Sequence, residues 1–192
     1  MTGSSNQTRQ QSGLMTGSLI ALSFGTVFVM VNSGGLPSPW PIVIRVIAVV
    51  TAVALLIAVL RVRGLAIEER PGEVVGFADQ RYWYAVAGEV IALVVGLYLI
   101  NQVFDAPEVG IAWVAVVVGL HFVPLAWAWR MPMYYWLGAA MVLLGVAGFV
   151  AHAFGASDAV VALIAGVGSG AALYGAVAAG IQDTRKRAAA RA

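Results

Sequence analysis

Six apolar runs of about twenty residues, cut by short connectors, leave this chain little choice of architecture. They fall near residues 13–32, 40–60, 82–103, 109–129, 132–153 and 159–181. Each is close to the ~20 residues that a helix needs to cross hydrocarbon. The runs are apolar on every side, whereas a membrane barrel would need shorter segments of alternating polarity. Lipid offers no partners to free backbone groups, so a helix that closes its own hydrogen bonds is required. The expected fold is all-α: a polytopic membrane helical bundle with six transmembrane helices.

Charged residues make up 10% of the chain, against about 25% in soluble domains, so no polar segment is large enough to fold alone. The expected organisation is a disordered cytoplasmic arm at 1–12, a membrane domain at 13–182 and a basic cytoplasmic tail at 183–192. The first run is longer than a signal-peptide core and no A-x-A-like site ends it, so it is expected to remain as a span.

The connectors give the threading. Arg9, Arg61, Arg63, Arg70, Arg81, Arg130, Arg185, Lys186, Arg187 and Arg191 lie on alternate connectors or termini that share one side. The connectors 32–41, 101–108 and 152–158 carry no Lys or Arg. By the positive-inside rule both termini face the cytoplasm, in a multi-pass protein of the cell (plasma) membrane. Tyr82, Trp83, Tyr84, Trp127, Trp129, Tyr134, Tyr135 and Trp136 fall at the same ends of their helices. An interfacial belt accounts for them; an aromatic substrate cage is the rarer alternative.

No cysteine is present, which removes disulfides, thiolate metal sites and cysteine nucleophiles. Two histidines, His121 and His152, cannot make a multi-histidine centre, although they do not exclude a mixed His/carboxylate one. We expect no metal and no cofactor. The net charge of +2 argues against nucleic acid. The expected partners are the bilayer itself, anionic lipids at the C-terminal tail and a second copy of the chain as a homo-oligomer.

Ionisable residues inside the spans are the candidates for chemistry. Glu89 lies seven residues into the third span and His121 eight from the matching end of the fourth, roughly 10 and 12 Å deep at 1.5 Å per residue. Consecutive antiparallel spans are neighbours, so the two can meet as a proton- or substrate-binding pair. A helix-locking hydrogen bond is the plainer alternative. Ala85, Gly88, Ala92 and Gly96 form a small-residue stripe that would let the third helix approach its neighbour with Glu89 turned inward. Pro124 leaves the carbonyl of Leu120 without its helical donor, opening either a polar pocket or a static bend. Arg45, five residues into the second span, either snorkels to the interface or pairs with Asp105 or Asp158. Gly166 and Gly170 take G-x-x-x-G spacing in the last span, suited to close packing within the bundle or across a dimer. The hydroxyls of Thr16, Ser18, Ser23 and Thr26 either line a pore or bond back to their own helix.

The run HFVPLAWAWRMPMYYWLG, residues 121–138, resembles a segment of small uncharacterised bacterial membrane proteins. In these an HFxPLA-like stretch in the fourth helix precedes a short turn and a tyrosine-rich helix. The resemblance implies a six-span fold and brings no activity with it. Three functions remain open. One is a small transporter, channel-like or sensing bundle built on Glu89 and His121. Another is a membrane-embedded enzyme acting on a lipophilic, for example prenyl, substrate with Glu89 as general acid. The third is an accessory subunit of a membrane complex.

Overall fold

The computed structural model describes residues 4–62, 80–129 and 132–190. Every regular element among them is helical: α1 Ser4–Asn32, α2 Trp40–Val62, α3 Gln80–Tyr98, α4 Gly110–Trp129, α5 Pro132–Ala153 and α6 Asp158–Ala189. A π-helical turn, Leu99–Val103, continues α3, a 3-10 turn, Pro107–Val109, opens α4, and α6 is π-helical over Ala162–Val167. Five of the helical segments are long and apolar enough to cross a membrane: Trp40–Val62, Val86–Val103, Pro107–Trp127, Pro132–Ala153 and Asp158–Ala189. The shorter apolar helix Gly17–Asn32 accompanies them. The chain is therefore an all-α helical bundle.

Helix α1 starts at Ser4, so helical backbone runs through most of the arm that the sequence leaves unstructured. A helix extended upstream from an apolar span needs no new nucleus, and Gln and Arg are good helix formers. Arg63, Arg70, Arg130 and Arg191, on which part of the charge argument rests, lie outside the described residues.

Helices α1, α4, α5 and α6 hold the core, with α4 on α5 and α1 on α6 as the closest pairs. Glycine makes both approaches possible. A Cβ on Gly145 would lie 2.6 Å from the carbonyl oxygen of Ala112, and one on Gly138 would lie 2.6 Å from that of Gly119. Across the other pair, a Cβ on Gly170 would lie 2.7 Å from the carbonyl of Gly25, and one on Gly166 would run into Asn32. The G-x-x-x-G face of α6 is thus used inside the bundle, against α1. Gly175 and Gly180, further along, face nothing within 4 Å among the described residues.

Phe28, Leu137, Met141 and Leu173 bring α1, α5 and α6 together at the centre, with Val114 and Val118 of α4 packed against them. A second cluster, including Leu22, Val59, Val62 and Val177, seats α2 on α1 and α6. The two remaining helices are flanking ones. Helix α2 packs on α1 and α6, and α3 packs on α4. Both present Ile and Val outward, among them Ile47, Val50, Ile91 and Val94. An aliphatic surface of that extent suits lipid better than water.

Candidate functional site

Glu89 and His121 meet. The Oε2 atom of Glu89 lies 2.7 Å from Nδ1 of His121, across the α3–α4 interface. The side chains are 18% and 15% exposed, respectively. Nδ1 itself is fully buried and has no acceptor in hydrogen-bond geometry among the described residues. The carboxyl group therefore approaches off the line of the ring N–H, in a close polar contact rather than an in-line hydrogen bond. Phe122 follows His121 with its ring edge-on at 6.3 Å. Tyr134 of α5 stacks on Phe122, with centroids 5.8 Å apart and planes 8° from parallel. The imidazole thus sits at the foot of an aromatic column linking α4 to α5.

The rest of the α3–α4 seam explains how the pair is positioned. The indole N–H of Trp113 donates to the carbonyl of Ala92 at 3.1 Å. Its ring fills the notch left by Gly96, where a Cβ would run into the indole. Glu89 lies one turn from Ala92 on the same strip of α3, which turns its carboxylate toward α4. The small-residue stripe is used only in part. Ala92 and Gly96 take the indole, whereas Gly88 has nothing within 4 Å among the described residues. The reason is geometric, since one bulky indole sets the helix separation and small residues further along cannot close it. Replacing Gly96 with Ala should expel the Trp113 ring and destabilise the protein by about 1–3 kcal/mol, as overpacking does. Trp113→Phe loses the donor and the part of the indole that fills the Gly96 notch, so it should also destabilise, by about 1–3 kcal/mol. Unfolding of the two variants in a detergent series checks both losses.

Helix α4 runs unbroken through Pro124, from Gly110 to Trp129, so the proline is accommodated inside a continuous helix. Arg45 sits apart from the Glu89–His121 pair. Its Nε donates to Ser33 Oγ at 3.0 Å, at the turn between α1 and α2, and Ser33 is fully buried. Arg45 has no carboxylate partner among the described residues, Asp105 and Asp158 included. The hydroxyl of Thr26 donates back to the carbonyl of Leu22 at 2.7 Å and lies 2.7 Å from the Tyr174 hydroxyl, tying α1 to α6.

The chain is similar to no family model, no curated protein and no solved structure. The site must speak for itself.

Sequence reasoning passed over two features at the opposite end of the bundle. His152 at the end of α5 lies 3.6 Å from Glu108 in the turn that opens α4. Both residues lie on connectors without Lys or Arg, the one available clue to the pairing. A groove of about 390 Å³ also opens there, between the end of α3, the start of α4 and Phe149 of α5. No sequence pattern marks it, because it depends on how a π-helical turn displaces the chain. Among the described residues no three His, Asp or Glu side chains gather as a metal site. The chemistry within reach of Glu89 and His121 is the transfer of a proton.

Proposed function

We propose that this chain is a small transport, channel-like or sensing bundle in which Glu89 and His121 bind and release a proton. The observation that carries the reading is the 2.7 Å contact between the two side chains, one on a flanking helix and one on a core helix. Ionisable groups inside membrane spans are expensive to keep, and most mark a pathway, relay or switch. Among the described residues helix α3 packs chiefly on α4, so a change in the charge of the pair acts directly on how that helix is held.

The proposed threading has six spans in the cell membrane with both termini cytoplasmic. Helix α1, 29 residues long, supplies the sixth span. Arg61 at the end of α2 and Arg185, Lys186 and Arg187 at the end of α6 support the orientation. The last three lie on an exposed final stretch of α6, suited to anionic headgroups at about 1 kcal/mol each. The HFxPLA-like run supports grouping the chain with the small six-span bacterial proteins that it resembles. A bundle this small would carry out transport as a homo-oligomer.

The test is infrared difference spectroscopy of the protein in lipid through a pH titration. A carbonyl stretch from a protonating buried carboxyl is expected in the wild-type protein and is expected to vanish in Glu89→Gln. A band unchanged by that substitution would end the reading. The enzyme alternative draws some support from the apolar, partly aromatic groove. However, neither Glu89 nor His121 lines that groove. Its nearest wall residue on α3, Gly96, is seven residues from Glu89, roughly 10 Å along the helix. A general acid for a prenyl substrate would have to lie in its wall.

A further inference from the structure

We propose that the groove at the end of the α3–α4 hairpin binds an amphiphilic organic cation, a molecule with an apolar body and a single ammonium- or phosphonium-type charge. Its volume of about 390 Å³ lies within the ~300–1,000 Å³ of small-molecule sites. Leu99, Ile100, Phe104, Val109, Trp113 and Phe149 supply most of the wall. The one polar group among these side chains, the Trp113 N–H, is already bonded to Ala92. A polar ligand body would find no partner there, and an apolar one loses nothing by entering.

The charges at the rim select the sign of the ligand. Asp105 stands between Phe104 and Ala106, which both line the groove. It is exposed and has no ion-pair partner among the described residues. Glu108 precedes the lining residue Val109 and is the partner of His152 at 3.6 Å. Arg45, the basic residue in this half of the spans, is bonded to Ser33 on the α1–α2 flank. Helix α2 packs on α1 and α6, away from the hairpin. The segment that carries Phe104, Ala106 and Val109 into the groove wall thus holds two carboxylates and no Lys or Arg, with aromatic rings in the same wall. Carboxylate attraction and cation–π contact both favour an organic cation and oppose a fatty-acid anion of the same bulk. The inference stands independently of the proton reading, because neither Glu89 nor His121 lines the groove.

The experiment measures equilibrium binding of radiolabelled tetraphenylphosphonium and of tetraphenylborate to the full chain in lipid nanodiscs, with empty discs subtracted. The two ions match in size and apolar surface and differ in sign. Saturable binding of the cation is expected, at least tenfold tighter than that of the anion. Asp105→Asn should bring the ratio close to one. Asp105 has φ 49, a conformation that asparagine tolerates as well as aspartate, so this change removes charge without straining the backbone. Ala106→Trp should fill the groove and remove binding of both ions. Phe154→Ala, on a residue 88% exposed and outside the groove, should leave binding unchanged. Equal binding of the two ions would show an apolar lipid-tail site and overturn the proposal. So would cation binding no greater than in empty discs, or selectivity that survives Asp105→Asn.

Discussion

Gly145→Leu is expected to be among the most destabilising single changes in the bundle. A Cβ at this position would lie 2.6 Å from both the Ala112 carbonyl oxygen and the Val116 side chain, and 3.0 Å from the Val116 backbone nitrogen. Two of those three atoms belong to main chain, which cannot turn aside as a side chain does. The α4–α5 pair would have to separate along its length, opening the contacts around Met141, which is fully buried. Overpacking in a core typically costs about 1–3 kcal/mol, and a clash against backbone belongs at or beyond the upper end of that range. Gly138→Leu, against the Gly119 carbonyl, should behave similarly. Gly88→Ala and Gly175→Ala are the controls, since neither new methyl meets anything within 4 Å. Alanine is the better helix former, so each should be neutral or gain about 0.5–1 kcal/mol. Unfolding midpoints in a detergent series rank the four variants. Equal losses at Gly145 and Gly175 would show that backbone approach is not what holds α4 on α5.

Much of this arrangement is legible in the residues, and the legible part has a common physical origin. Apolar runs near twenty residues specify helices because lipid leaves the backbone no other way to satisfy itself. The neighbouring depths of Glu89 and His121 follow from a fixed rise per residue and a short connector, and the two side chains do meet. The direction in which each glycine packs was not legible. Gly88, Gly96, Gly166 and Gly175 look alike in sequence, yet Gly96 takes an indole, Gly166 takes Asn32, and the other two face nothing. A small side chain permits close approach, but the bulky partner opposite decides whether it happens. Arg45 shows the same limit. Its depth left an interfacial position and a carboxylate partner both open; no carboxylate pairs with it among the described residues, and the buried Ser33 hydroxyl, twelve residues back across a turn, receives its hydrogen bond. The groove was beyond reach for a different reason, since a π-helical turn changes the register of α3 without any composition to announce it.

Removing either member of the Glu89–His121 pair should hurt stability more than removing both. Glu89→Leu leaves the Nδ1 atom of His121 buried with no partner, and His121→Leu strands a carboxylate against an apolar helix face. Breaking a buried pair from one side costs about 3–5 kcal/mol in soluble proteins. These side chains keep 15–18% exposure and meet off-line, so about 2 kcal/mol for each single variant is a better expectation. In Glu89→Leu/His121→Leu both desolvation costs disappear, and stability should return to within about 1 kcal/mol of wild type. Unfolding free energies of the four proteins in one detergent series close the double-mutant cycle. Single losses that simply add in the double variant would mean that the two side chains do not couple. The same double variant separates a helix lock from a proton site. If the pair serves only to fasten α3, leucine packing replaces it and nothing else changes. If it carries protons, the refastened bundle is stable and yet loses the carboxyl band and every pH-dependent property that the band accompanies. A stable protein without its protonation signal is the result that the proton reading demands.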